Sequence, residues 1–418
     1  MATATSAPPA NIGKYRIERE LGRGASGIVY LGLDGFRGRK VAIKQTHAHL
    51  LKVPEQAERY RKLLRNEAAL SGRMRHPNIV RLLDADEEAL PPYLVLEYVD
   101  GQPLSDFATP DTLLPVPQVL DIAFKCCNAL EYAYREGLVH RDIKPANLML
   151  AHGGDVKLTD FGAALSLRSD ATQLSGLVGS PSYMSPEQVR EQDLTHHSDM
   201  FSLAVVVYEL LTGRRPFDGD TDFATLYKIS NETPTRPSLL RASLPAHVDE
   251  VLLRALAKQP ADRFATWADF AQALLAAHRG LPRQKSQDTE AERFARLRAL
   301  PFFSDFHDVA LWELMRLGSW RRLEQGTVLM RENTPGDSFC ILIEGQVAVS
   351  RQGWNLSTLG PGVTLGEMTY LRPDNRIRTA TAVAETGVLG LNCLLYTSDA
   401  ADERSSVELG GRRIIKKK

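Results

Sequence analysis

The segment His140-Arg141-Asp142-Ile143-Lys144-Pro145-Ala146-Asn147, followed further on by Asp160-Phe161-Gly162, constrains this chain more than any other feature. An aspartate and an asparagine so close on a tight loop suit different tasks. The Asp142 carboxylate can accept or orient the proton of an attacking hydroxyl. The Asn147 amide oxygen can bind a metal, and Lys144 can neutralise charge on a transferred group. Asp160 follows a strand-like run, Asp155-Val-Lys-Leu-Thr159. It is a hard oxygen ligand suited to magnesium.

Two further motifs precede it. Gly22-Arg-Gly24-Ala-Ser-Gly27-Ile-Val29 lies between two strand-like runs. Glycines let backbone amides approach phosphate oxygens without a Cβ in the way. Alone the pattern is weak, since a glycine-rich hairpin reads the same. A dinucleotide-binding turn would need a helix directly after the glycines, and a strand-like run follows instead. Next, Val41-Ala42-Ile43-Lys44 places a lysine on a strand, where its charge can meet phosphates. Glu67 lies on the next helical stretch, Gln56 to Met74, and can pair with that lysine.

Taken in order, these motifs resemble the eukaryotic-like protein kinases over about Tyr15 to Gly280. The resemblance implies ATP and Mg2+ as cofactors. It assigns Gly22, Gly24, Gly27, Val29 and Ala42 to nucleotide binding, with Leu96 as gatekeeper and Glu97 to Val99 as the adenine hinge. Lys44 with Glu67 matches the ion pair of the active state, Asp142 the catalytic base, and Asn147 and Asp160 the metal ligands. Ser185-Pro186-Glu187 stands where the family usually has Ala-Pro-Glu, with Arg263 as partner of Glu187. Asp199 matches the buried aspartate that supports the catalytic loop. Lys144 and the stretch Gly179 to Glu187 look like serine/threonine kinases of the bacterial branch, so the partner is a protein substrate carrying serine or threonine. Arg141 would hold a phosphate on the activation loop, with Thr172 and Ser175 as candidate phosphosites and Ser180 structural. A catalytically silent scaffold is the competing class, and intact Lys44, Asp142, Asn147 and Asp160 argue against it.

A second unit follows the linker. It opens with a helical stretch and changes to strands with regular glycines; in the run from Ser338, Phe339, Ile341, Ile343, Val347 and Val349 share one parity. Residues from about Leu297 to Leu391 resemble a cyclic-nucleotide-binding domain, a β-roll flanked by helices. The resemblance places Gly366 at a short helix N-terminus that binds a cyclic phosphate. Arg378, rather than Arg376, would pair with that phosphate, and Glu367 would accept from the ribose hydroxyl. Thr379 resembles cyclic-GMP-selective members, with cyclic AMP as the alternative. A β-roll that binds nothing and serves only for docking is the competing reading. The fold class expected is α+β: a bilobal protein-kinase fold, then a β-roll.

The expected organisation is a disordered leader at 1–14, the kinase domain at 15–280, a linker at 281–292, the second domain at 293–392 and a tail at 393–418. That tail resembles translated sequencing-adapter DNA, so the native sequence is expected to be left near Asn392. The family's closing helices would then be missing, and cyclic nucleotide would bind weakly; a genuine basic tail is the alternative. Lys plus Arg and Asp plus Glu number 51 each, so no global field draws the chain to nucleic acid or an anionic membrane. No apolar run approaches the roughly 18 to 20 residues of a membrane span. Four cysteines without framework spacing fit a reducing compartment, and a cytoplasmic location is expected.

Overall fold

Six strands form between residues 11 and 97: β1 (Asn11–Ile12), β2 (Tyr15–Arg23), β3 (Gly27–Asp34), β4 (Arg39–Thr46), β5 (Leu82–Asp86) and β6 (Tyr93–Glu97). They pair antiparallel in the order β1-β2-β3-β4-β6-β5. The computed structural model describes residues 8–24, 27–161, 165–166, 181–281, 290–368 and 377–394. One face of the sheet packs Ile12, Tyr15, Tyr30, Val41, Ile43, Tyr93 and Val95 into a core. Period 2 then sends Val29, Leu31, Ala42, Lys44, Leu94 and Leu96 to the other face. Helix α1 (Pro54–Ser71) lies between β4 and β5. It starts earlier than expected because Pro54 suits a first helical turn, and it ends at Gly72, before Met74.

Helices dominate the next part. Helix α2 (Val116–Arg135) is buried almost all round and packs against α4 (His196–Thr212) and α8 (Trp267–Arg279). Such a helix belongs at the centre of a lobe. Gly137, at φ 83°, turns the chain out of α2. In α4 every residue from Ser198 to Thr212 is buried. Thr195 caps its start and Gly213, at φ 72°, ends it. Around these lie α3 (Pro186–Val189), α5 (Asp222–Asn231), α6 (Pro237–Leu240) and α7 (Ala246–Ala255). Short strands β7 (Gly101–Pro103), β9 (Leu148–Ala151) and β10 (Val156–Leu158) form a small sheet, and β8 (Leu138–Val139) pairs with β11 (Leu165–Ser166).

The chain divides into two compact units, Met1–Gln284 and Lys285–Lys418. Helix α9 (Glu290–Arg298) already begins inside the stretch read as linker. Pro301 breaks the leading helical stretch, and α10 (Asp308–Leu317) follows. Two four-stranded sheets then stack. One has the order β12 (Gly318–Leu323), β19 (Val388–Leu394), β14 (Ser338–Glu344), β17 (Thr364–Leu365). The other runs β13 (Val328–Met330), β18 (Thr381–Ala384), β15 (Val347–Arg351), β16 (Trp354–Leu359). The strands expected from that parity form as β14 and β15, and Cys340 and Leu342 join Val347, Leu365, Ala382, Ala384 and Val388 in the core of this unit. Ile341 and its cross-strand partner Leu391 are fully buried as well, and α10 packs on β12 and β19. A strand buried on both faces carries no usable alternation.

Candidate functional site

The strand register builds the first half of the site. Val29 pairs with Lys44 and Lys44 with Leu94; in the next row Leu31 pairs with Ala42 and Ala42 with Leu96. Four residues expected at the nucleotide thus share one face. Leu31 and Leu94 belong to the same rows and were not singled out from the sequence, although their parity relative to Val29 and Leu96 was the available signal. Glu97 is held by Lys157 at 2.7 Å and accepts from the Arg81 amide, so its side chain is committed to the fold. Val99 is half-buried just beyond β6.

The glycines separate into two kinds. A Cβ on Gly27 would lie 2.2 Å from the Gln45 carbonyl oxygen, so the pairing of β3 with β4 itself requires glycine there. A Cβ on Gly22 or Gly24 would meet nothing within 4 Å. The fold does not demand glycine at those two positions, which leaves backbone open to an approaching ligand.

Lys44 is the hub. Its Nζ donates to Glu67 Oε1 at 3.0 Å, to Glu67 Oε2 at 3.2 Å and to Asp160 Oδ1 at 2.7 Å. Burial pulls the ammonium's pKa down, but the two carboxylates outweigh it and hold the pKa above the usual lysine value. Burial pushes the Glu67 pKa up, against the pull of Lys44.

The residues of the His140–Asn147 loop are cross-braced. Lys144 Nζ donates to Asp142 Oδ2 at 2.7 Å. The Asn147 amide nitrogen donates to the Asp142 main-chain carbonyl at 2.8 Å and to Asp142 Oδ2 at 3.0 Å. A carbonyl only accepts, so the Asn147 nitrogen must face it, which fixes Oδ1 on the other side. The Thr159 amide and hydroxyl both donate to the Asn147 carbonyl, at 2.9 and 3.1 Å, and this tie sets Asn147 beside the start of the Asp160 segment. One carboxylate and one oriented amide oxygen form a sparse hard-oxygen set. That suits magnesium, which keeps water and phosphate oxygens as its other ligands.

Behind the loop, Asp199 Oδ2 accepts from the His140 amide at 2.7 Å and Oδ1 from the Arg141 amide at 2.8 Å. Arg141 has φ 71°, a left-handed backbone that costs a non-glycine residue about 1–2 kcal/mol. The two Asp199 bonds hold it there. Gln188 adds a third tie, Nε2 to the Arg141 carbonyl at 2.9 Å, and the sequence reading missed it. Its signal was the Ser185–Gln188 capping box, which is present at α3. The Arg141 Nε is buried with no partner among the described residues. Glu187 and Arg263 meet as expected, in a bidentate pair at 2.8 and 2.9 Å with both side chains buried. Gly162, Thr172, Ser175 and Ser180 lie outside the described residues.

The second unit holds a cavity of 230 Å³ lined by apolar Met330, Val349, Leu359, Val363 and Leu365 and by polar Thr364, Glu367, Arg378 and Thr379. Arg378 is buried; Nη1 donates to the Gly366 carbonyl at 3.0 Å and Nη2 to the Ser338 carbonyl at 2.6 Å. Gly366 has φ 88°, and a Cβ there would lie 2.2 Å from Arg378 Nη1. Backbone thus packs directly on the guanidinium. Of the helix expected after Gly366, only Met368 is among the described residues, and Arg376 is not.

Comparison with known proteins agrees with this geometry. Residues 15–276 match the protein kinase domain model, and residues 320–392 match the cyclic nucleotide-binding domain model. Among curated proteins, the serine/threonine-protein kinase PknB of Mycolicibacterium smegmatis is 37% identical over 296 residues, covering 69% of this chain and 47% of that protein. PknB of Mycobacterium tuberculosis is 36% identical over 288 residues, 67% of this chain and 45% of its own length. The probable serine/threonine-protein kinase PknB of Bifidobacterium longum is 38% identical over 280 residues, 64% and 40% respectively. This chain therefore spans less than half the length of these relatives. No helix among the described residues is long and apolar enough to cross a membrane. With its family-model match over residues 15–276 and a cyclic-nucleotide-binding-type domain after it, the chain belongs to the protein kinase family.

Proposed function

We propose that this chain transfers the γ-phosphoryl group of ATP to serine or threonine hydroxyls of a protein substrate, and that a cyclic nucleotide bound by residues 320–392 regulates the transfer. The observation that carries the kinase reading is the assembled hub: Lys44 bonded to Glu67 and Asp160 at once. Lys44 binds the α and β phosphates. Backbone at Gly22 and Gly24 covers them, and Val29, Ala42 and Leu96 flank the adenine, with the main chain from Glu97 to Val99 at its edge. Asp142 orients the substrate hydroxyl and accepts its proton. Lys144, already on the Asp142 carboxylate, offsets charge on the phosphoryl group as it moves. Asn147 and Asp160 would hold Mg2+, which would supply positive charge against the phosphates. Thr172 and Ser175 are the proposed phosphosites, with Arg141 as their cation.

In the second unit the cavity beside Arg378 supports the regulatory reading. Arg378 and the Gly366 backbone take the cyclic phosphate, Glu367 the ribose hydroxyl, and Thr379 the base or phosphate edge. A ligand shifts activity only through unequal affinity for two states. The test measures transfer from labelled ATP to a generic protein acceptor, with and without cyclic AMP and cyclic GMP. Asp142→Asn serves as the control. It should retain AMP-PNP binding and lose about 100-fold or more in turnover. Near-parental turnover in Asp142→Asn would overturn the catalytic assignment. An active kinase indifferent to both nucleotides would leave the second unit as a docking module.

A further inference from the structure

We propose that His47 is a positioning residue that clamps Gly24 of the glycine-rich loop, so that the Gly24 backbone meets nucleotide phosphates already held in place. The inference rests on the kinase reading above. His47 Nε2 lies 2.8 Å from the Gly24 carbonyl oxygen. A carbonyl only accepts, so Nε2 carries the proton and donates. The Gly24 amide in turn donates to the Gly27 carbonyl at 2.9 Å. Gly24 is thus held at both of its backbone groups, and only Ala25 and Ser26 stand between it and Gly27.

The position of the clamp matters as much as its bond. His47 directly follows β4, three places after Lys44, and caps the short turn Ala48–Leu51 that leads to α1 and Glu67. The ring of His49 stacks on that of His47 at 5.0 Å and 29°, which restrains the donor's orientation. One side chain therefore ties the phosphate-covering loop to the segment that carries the phosphate-binding lysine and its partner. Glycine-rich backbone loses more freedom on ordering than any other. Restraint in the free protein lowers that cost at binding, so affinity rises without a new contact to the ligand. A single neutral hydrogen bond at a half-exposed site corresponds to about a two- to ten-fold effect.

The experiment compares His47→Ala and His47→Gln in the full chain, by equilibrium binding of AMP-PNP with Mg2+ and of adenosine. Glutamine reaches about as far as Nε2 and keeps an N–H. Adenosine has no phosphates, so it does not report on the loop. The clamp predicts that His47→Ala weakens AMP-PNP about two- to ten-fold, leaves adenosine unchanged, and is rescued by His47→Gln. Equal losses for both ligands would mark a general packing defect and overturn the clamp, as would no loss for AMP-PNP. If the unsubstituted chain binds adenosine and AMP-PNP equally or not at all, the kinase reading falls and the clamp with it.

Discussion

Asp199→Asn should separate turnover from stability. Asp199 is buried and accepts two main-chain N–H groups, at 2.7 and 2.8 Å. An asparagine has one acceptor oxygen, so one amide keeps its bond and the other faces an NH2 group. Losing a charge-assisted bond costs about 1.5–3 kcal/mol. Two gains oppose that loss. Burial raises the Asp199 carboxyl pKa above 3.8, even though the His140 and Arg141 amides pull the other way. A raised carboxyl pKa stabilises the fold only at low pH, and the contribution is lost as pH rises through the folded value. At neutral pH the charge is a net cost, and asparagine removes it. Relaxation of Arg141 from its φ of 71° returns about 1 kcal/mol more. The terms nearly cancel, so Tm should stay within about 4 °C of the parent. The same relaxation moves Asp142, the next residue, and a displacement near 1 Å costs about 100-fold in kcat. Nucleotide affinity should hold, because Lys44 and the β3–β4–β6 rows do not touch Asp199. The assays are phosphoryl transfer at saturating ATP, AMP-PNP binding and thermal unfolding. A kcat within three-fold of the parent would refute the reasoning, as would an affinity loss matching the kcat loss.

Arg263→Lys should unfold the kinase unit early. A lysine keeps the charge but cannot form the bidentate pair with Glu187 and also donate to the Ala257 and His197 carbonyls as Arg263 does, and each charge-assisted bond lost costs about 1.5–3 kcal/mol. Burial raises the Glu187 pKa, but Arg263 outweighs it and holds the value below 4.5. The pair's contribution is therefore full above pH 4.5 and lost as pH falls through the folded value, so the Tm gap between variant and parent should narrow in acid. The glycines should divide by type. Gly27→Ala forces a contact with the Gln45 carbonyl and should lower Tm by about 3–10 °C. Gly24→Ala meets no neighbour, so it should leave Tm unchanged and weaken AMP-PNP binding.

Some of this site was readable because the relevant contacts are local or periodic. Val41 and Ile43 face the core, and period 2 then fixes Ala42 and Lys44 on the other face; the sequence shows this directly. The Ser185–Gln188 box is four residues long, and its helix start could be read, but not that Gln188 reaches the Arg141 carbonyl 47 positions away. Nothing local to His47 in the sequence signals its bond back to Gly24. The inward face of β14 was not legible for a different reason. With Cys340, Ile341, Leu342 and Ile343 all buried, every residue is apolar and the inward set cannot be chosen by alternation. Only the partner strands decide it.

The charge balance of the catalytic cluster argues for why its parts act together. Lys44 and Lys144 are set against Glu67, Asp142 and Asp160, which leaves a formal charge of minus one where the proposed function places a polyanionic nucleotide. Lys44 cannot correct this alone, because its ammonium is shared between carboxylates from two elements, α1 and the segment after β10. Withdrawing either carboxylate would leave Lys44 less firmly placed, and withdrawing Lys44 would leave two buried or half-buried anions facing each other. A third fixed cation would balance the bound state but would repel Lys44 and Lys144 when the cleft is empty. A divalent ion that accompanies the nucleotide adds its charge only when phosphates are present. The sparse pair Asn147 and Asp160 suits such an ion, since few protein ligands allow it to arrive and leave with its phosphates. On the proposed reading, the excess negative charge is a condition for coupling metal binding to nucleotide binding.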